Sequence, residues 1–538
     1  MDINENKPNF LDRGTILALV LILVFWFGWS KFMAWKYPVT AQAPVEEQAQ
    51  ELNTEQSAED VSTTNSESPS TVVSDEEKVF VHEDENFSFK ISSRGMGLRE
   101  IVLHKYRTRE DEPIVLGNVT ADLPFSTYLP GSDVPLNFAI EKSAPDTYIG
   151  KAVANGIQFE KILKVDGSNY AVHVSIRATG DMVKFKGLST TLSDPIEPAA
   201  GGGFFGEFRH GQDWFLRHGG DKSRHLIKED GLKLSETNVE IAALSSHYFT
   251  VSVVDKSDLK PQFDALVSTN DKFAVGRLTY LPLTKPEVFE VKFVGYAGPK
   301  EYDVLSRIDE YLPDVIDLGM FGFLGKPILQ LLKYLHSLVG NWGWAIVLLT
   351  IIVRLIVLPF NLYSYKSMKA MQKIQPEMNR IREKYKDKPA EMRMQMNQEI
   401  MQLMKDNNAN PLGGCLPMLL QLPPFFALYQ VLGQSIELYR APFIFWIHDL
   451  SAKDPYFVLP LLMGITMFIQ QKITPTTMDP QQAKIMMWMP VIFAFFMLSL
   501  PSGLTLYIFV STLFGIGQQY LFMRDKSTIE GRVKEVKA

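Results

Sequence analysis

Two rhythms of apolar residues divide this chain. Between about residues 79 and 318 hydrophobic residues come in short alternating runs, among them VFVHEDENFSFKISS (79–93), YAVHVSIRA (170–178), HYFTVSVV (247–254) and VFEVKFVGY (288–296). Alternation with a period of two puts every second side chain on one face of a strand. Turn signals such as Pro130-Gly131 and Gly201-Gly202-Gly203 separate the runs. The pattern predicts a large all-β antiparallel sandwich. Beyond residue 319 the rhythm changes to long uncharged runs at about Trp342–Phe360, Leu412–Leu432, Tyr456–Gln471, Ile485–Leu500 and Leu504–Met523. Each has the character of a membrane span, and Pro501-Ser502-Gly503 joins the last two in a hairpin. Ile485–Leu500 gives roughly 24 Å of helix against a hydrocarbon core of about 30 Å, so it requires thinned lipid or polar neighbours. Residues 319–339 carry apolar positions on one side and Lys326, Lys333 and His336 between them, which predicts an amphipathic helix in the interface.

A sixth apolar run, Gly14–Trp29, lies near the start of the chain. The small-residue pair Ala41-x-Ala43 stands more than ten residues beyond it, too far for a cleavage site. The run therefore reads as an uncleaved anchor, with Trp26, Trp29 and Trp35 toward one interface. Pro38–Glu77 holds ten acids and no Lys or Arg, the composition of a disordered, self-repelling tether. Basic residues then set the orientation. Ten Lys/Arg against six acids lie in 361–411, and five against three follow Met523. Positive-inside counting places both termini and that loop in the cytoplasm, and residues 36–338 outside it.

The expected fold class is thus a membrane α-helical bundle of six transmembrane helices plus a large all-β sandwich. The expected division is a cytoplasmic N-terminus and anchor (1–37), a linker (38–78), the β-domain (79–318), the interfacial helix (319–339), the membrane core (340–523) and a cytoplasmic tail (524–538). A helical hairpin at 362–410 lies within the core, with Ile374, Met378, Ile381 and Tyr385 on one arm and Met392, Met396, Ile400 and Leu403 on the other. Its many methionines suit either a zip between the arms or a promiscuous apolar contact.

Composition narrows the function. The net charge is −7 and no domain-scale basic surface is evident, which argues against nucleic-acid binding. The single cysteine, Cys415, rules out an intrachain disulfide and reads as a small buried hydrophobe. Gly201-x-Gly203-x-x-Gly206 lacks the strand–helix setting of a dinucleotide site. Gly325-Lys326 is followed by Pro327 where a phosphate loop needs Ser or Thr, and His82-Glu83 has no second His four residues on. Glu207, Arg209, His210 and Asp213 form a polar cluster that reads more readily as an ordinary hydrogen-bonded loop than as a sugar-binding face. No metal or cofactor is expected.

One charge stands out. Arg354 lies inside the Trp342–Phe360 run, where a cation costs between about 3 and 15 kcal/mol and is a functional candidate. Snorkelling to the headgroups is the plain alternative. Thr350 and Asn361 lie on the same helical face as Arg354. The last run repeats polar or small residues at helical spacing, Tyr507, Ser511, Gly515 and Gln518, while Gln421 and Gln470 supply amides to two others. Together they outline a wet groove. The absence of Asp or Glu from the core of any run weakens an ion or proton relay.

These residues carry a resemblance. Thr350-Ile-Ile-Val-Arg354, Asn410-Pro-Leu-Gly-Gly-Cys-Leu-Pro417, Gln421-Leu-Pro423, Ala441-Pro-Phe-Ile-Phe-Trp-Ile-His-Asp-Leu-Ser451, Asp454-Pro-Tyr456 and Pro501-Ser-Gly503 before Leu506-Tyr507 together resemble the YidC/Oxa family of membrane insertases over essentially the whole length. The resemblance implies a five-helix insertase core with a groove open to cytoplasm and lipid, and a periplasmic β-supersandwich. It implies that Arg354, Thr350 and Tyr507 line the groove. Ile508 departs from the family's second tyrosine. The implied activity is membrane protein insertion and chaperoning in the bacterial inner membrane, with no covalent chemistry. The implied partners are nascent membrane proteins, the Sec translocon (SecYEG and accessory subunits), the ribosome through the cytoplasmic loops, and membrane lipids.

Overall fold

Strand Ile157–Asp166 shows how the alternation folds: Ile157, Phe159, Leu163 and Val165 turn inward while Gln158 and Lys164 face solvent. This strand lies inside an antiparallel sheet whose spatial order is Asp221–Leu226, Asp213–His218, Val239–Ser245, Phe249–Asp255, Val288–Pro299, Ala171–Gly180, Ile157–Asp166, Thr147–Ala154 and Ala139–Ala144. The computed structural model describes residues 77–538 except 118–121, 197–210, 228–232, 269–272, 283–286, 320, 387–388, 390–391, 408–415, 475–479 and 525–538. Outside them fall the Gly14–Trp29 anchor, almost all of the acidic linker, the Gly201–Gly206 motif with Glu207, Arg209 and His210, Cys415 and most of the tail. Among the described residues a five-stranded and a four-stranded antiparallel sheet complete the β-domain. Trp214 of the large sheet meets Phe263 of the five-stranded sheet at 5.1 Å, and Phe87 of the four-stranded sheet meets Tyr170 at 5.7 Å. The alternating runs read from the sequence all form strands.

Lys161 breaks the apolar parity of its strand. It is fully buried, and its three N–H groups are shared among four acceptors, the carbonyls of Gly95 (3.0 Å), Met96 (3.1 Å) and Phe125 (2.6 Å) and Thr127 Oγ1 (3.1 Å). Burial pushes its ammonium down to about 7. Two other polar residues that drew notice in the sequence are structural. Asp213 is buried and ion-paired with Arg224 at 2.9 Å, and His82 is buried, with Nδ1 3.1 Å from the Tyr148 hydroxyl.

The last part of the expected β-domain is helical. A short helix, α1 (Tyr302–Ile308), and a 3-10 turn at Leu312–Val315 follow the final strand. The amphipathic helix is α2 (Gly322–Val339), burying Gly325, Leu329, Leu332 and Leu335 and exposing Phe323, Tyr334 and Leu338. Gly340 ends it in the left-handed region at φ 68°. Asn341 then caps α3 (Trp342–Lys384), its side chain accepting from the Trp344 amide. Among the described residues there follow α4 (Arg393–Asp406), α5 (Leu416–Gln434), α6 (Val458–Ile473), α7 (Pro480–Met497) and α8 (Ser502–Arg524).

Helix α3 is the main correction to the sequence reading. The first apolar run and the first arm of the hairpin are one helix of 43 residues, about 65 Å long. The helical backbone continues unbroken past the onset of charge at Lys366. The hairpin break near Pro389 is found, since α3 ends at Lys384 and α4 begins at Arg393. Met371, Ile374, Met378 and Ile400 form its buried core, with Ile381, Met396, Leu403 and Met404 packed around them. Met392 is outside this zip, 37% exposed ahead of the first turn of α4. Met394 and Met401 are also exposed, so the methionines divide between the zip and the outer surface.

By length and composition, Trp342–Leu362 is the one helix segment among the described residues long and apolar enough to cross a membrane; Val458–Ile473 and Met486–Met497 are apolar but shorter. The β-domain and the helices belong to one compact unit, Glu76–Ala538; among the described residues one buried core runs through the β-domain and the packed helices, and the hairpin has its own. Polar straps join them as well. Arg440 in the α5–α6 connection pairs with Asp111 (3.0 Å) and donates to the Thr108 carbonyl (2.9 Å). The Tyr439 hydroxyl donates to the Arg107 carbonyl (2.9 Å), and Arg109 faces Asp449 at 3.7 Å. Lys333 of α2 ties Asp303 and Glu437, each at 2.8 Å.

Candidate functional site

Helices α3 and α8 lie side by side, and their shared face carries the polar residues singled out above. Arg354 Nε donates to Ser511 Oγ at 2.7 Å. Eleven residues further along both helices the rings of Tyr365 and Phe522 stack at 6.1 Å. The two contacts advance in the same sense by the same number of residues, so α3 and α8 run parallel in a fixed register. Sequence spacing predicted both stripes; the structure sets them against each other.

Gly515, one turn beyond Ser511, allows a close approach on this face. A Cβ there would stand 3.0 Å from Gln470 Nε2 of α6 and 4.0 Å from Arg354 Nη1. The missing side chain therefore lets an amide and a guanidinium converge. On the other side, Gln421 of α5 donates from Nε2 to the Tyr507 hydroxyl at 3.2 Å. Four helices thus each bring a polar group to this region. Arg354 makes no ion pair with a carboxylate among the described residues, in keeping with spans that hold no Asp or Glu in their cores.

The remaining candidates differ in availability. Thr350 is fully buried and its hydroxyl donates to the Ile346 carbonyl at 2.6 Å, the back-bonding that a helical threonine makes when it has no better acceptor. Asn361 is 5% exposed, two turns beyond Arg354 on α3. Ile508 is buried, so the position that departs from the family's tyrosine belongs to apolar packing. Gln518 is 6% exposed, and neither Nε2 nor Oε1 has a hydrogen-bond partner among the described residues. An unmet buried amide costs about 1–3 kcal/mol. Its neighbour Gln519 instead donates to Thr474 Oγ1 at 3.2 Å. Sequence spacing placed Gln518 on the stripe, but nothing in the sequence marked it as unpartnered. Among the described residues no cluster of His, Cys, Asp or Glu could hold a metal.

The helices thus present a convergent polar face, carboxylate-free among the described residues, in one compact unit with a large β-domain. The 60Kd inner membrane protein family model matches residues 334–529, and the YidC periplasmic domain model matches 149–331. A membrane protein insertase YidC from Oleidesulfovibrio alaskensis is 34% identical, over 95% of this chain and 99% of its own length. One from Geobacter metallireducens is 33% identical over 97% of this chain and all of its own. One from Campylobacter jejuni reaches 52% over 43% of each chain. A crystal structure of an active YidC insertase with the first transmembrane domain resolved aligns with 82% of this chain at 19% identity and a TM-score of 0.38, too loose a superposition to carry an argument. The chain belongs to the YidC family of membrane protein insertases. It is an insertase rather than an enzyme, with its β-domain in the periplasm.

Proposed function

We propose that the face around Arg354 is a groove that receives the hydrophilic segment of an incoming membrane protein. The observation that carries this reading is the guanidinium of Arg354, held by Ser511 and free of any carboxylate partner among the described residues. An arginine committed to structure in so apolar a setting is normally neutralised by an acid. One without such a partner keeps its attraction for a passing acidic or carbonyl-bearing segment. Tyr507, Gln421, Gln470, Ser511, Asn361 and Thr350 complete the lining.

In this reading the chain crosses the membrane six times, with the N-terminal anchor and five core spans, both termini cytoplasmic. Exposed apolar stripes support it: Leu461, Ile465 and Ile469 on α6, and Trp488, Ile492 and Phe495 on α7. Such stripes suit lipid rather than water. The hairpin of α3 and α4 meets the nascent chain first, through Met378, Ile381, Met392 and Met396 or the surface they support. The polar segment then enters the groove, and the apolar helix moves out into lipid thinned beside the short helices α6 and α7. Burial of the substrate's apolar helix, worth ~0.8 kcal/mol per CH2, drives the step without a nucleotide. Ribosomes are met through the cytoplasmic loops, and the protein works alone or beside the Sec translocon.

Reversing the charge tests this. Arg354→Glu in reconstituted liposomes is expected to lower insertion of substrates with acidic translocated tails at least tenfold, a loss of about 1.4 kcal/mol, while neutral tails lose less. Equal insertion of acidic tails by variant and parent would refute the groove cation.

A further inference from the structure

We infer that Gln518 binds the main chain of the incoming polypeptide, giving the groove a grip that does not depend on substrate sequence. This rests on the groove reading above and adds a contact to it. The register of α3 and α8, fixed by Arg354 with Ser511 and by Tyr365 with Phe522, puts Gln518 level with Asn361, two turns beyond the guanidinium. Both residues are nearly buried. Between Gln518 and Ser511 stands Gly515, whose missing side chain lets Gln470 and Arg354 come close to the same stripe.

The carboxamide of Gln518 has a buried donor end and a buried acceptor end, both without a partner among the described residues. A folded protein seldom leaves both ends of a buried amide unmet. The pairing chemistry therefore calls for a ligand that both accepts and donates. An anionic headgroup or an acidic side chain offers acceptors alone and would leave Oε1 unmet. A cationic side chain offers donors alone and would leave Nε2 unmet. An extended peptide presents N–H and C=O together at every residue, and a hydrophilic segment that has not become helical carries them unpaired. One side-chain amide can meet both groups of such a segment, as neighbouring strands do. Arg354 then selects for charge, and Gln518 holds whatever chain is present.

The test uses the full chain in liposomes and a single-span substrate with a short translocated tail, made by semisynthesis with one tail amide at a time replaced by an ester. The ester removes one N–H and weakens one carbonyl without changing any side chain. With the parent protein, an ester at one or two tail positions is expected to lower insertion about fivefold, the worth of one net hydrogen bond. Gln518→Met, similar in length but without the amide, is expected to lower insertion of acidic and neutral tails alike and to abolish the ester effect. Gln518→Asn, which keeps the amide on a shorter stem, should retain part of it and guards against a mere packing defect. An ester effect of the same size in the parent and Gln518→Met, or no ester effect at any position, would overturn the main-chain contact. If Arg354→Glu still discriminates by tail charge while Gln518→Met inserts normally, this contact fails and the groove stands. If both variants insert every tail as the parent does, the groove itself fails.

Discussion

Lys161 is the clearest case of a single side chain fixing a fold. Its inward position was legible, because Ile157, Phe159, Leu163 and Val165 share its parity. Its partners were not, since they lie 34 to 66 residues away in sequence and a period says nothing about what faces a strand from elsewhere. The sign of its pH effect follows from burial. The folded value, about 7, lies below the unfolded value of about 10.4. The unfolded chain therefore binds more protons between these limits, and β-domain stability rises as pH climbs from about 7 toward 10. Thermal unfolding of the full chain at pH 7 and pH 9, followed by the strand signal in circular dichroism, checks this. Lys161→Met should remove the pH dependence and leave the Met96 and Phe125 carbonyls unpaired, at about 1–3 kcal/mol each. Arg354 offers the complementary lesson. Its face was readable from Thr350 and Asn361, and its opposite stripe from Tyr507 and Ser511, but their pairing needed the packing of α3 on α8.

At the scale of elements, hydrophobic rhythm located strands and apolar helices well and failed where composition changed without the backbone changing. Pro359 and Pro376 both lie inside α3, although a proline usually ends or kinks a helix. Continuity has a measurable effect. A helix turns 100° per residue, so one alanine inserted within residues 362–370 rotates the hairpin by about 100° relative to Arg354, whereas seven residues return it to within about 20°. Substrate handover from hairpin to groove should fall sharply with the first insertion and recover largely with the second, measured as insertion in liposomes. Equal loss with both would mean that the hairpin is not aligned with the groove through α3.

On the scale of the whole molecule, the β-domain and the α5–α6 connection are linked by side chains that no local pattern in the sequence connects. Arg440 and Asp111 are more than three hundred residues apart, and neither belongs to a motif. Asp111→Arg and Arg440→Asp should each loosen the 435–457 segment by about 0.5–1 kcal/mol, seen as faster limited proteolysis there. The double variant should restore protection, and a double variant as labile as either single would remove the pair from the account. These straps also differ physically from the groove. Arg440, Asp111 and Arg109 are substantially exposed, whereas Arg354 meets Ser511 among packed helices. Dissolved salt screens exposed charges over about 8 Å at physiological strength and about 3 Å at 1 M, and it reaches buried pairs far less. The surrounding medium thus acts on these exposed straps far more than on the packed helices. Higher ionic strength should weaken the Arg440–Asp111 and Arg109–Asp449 contacts while the Arg354–Ser511 contact stays largely unchanged.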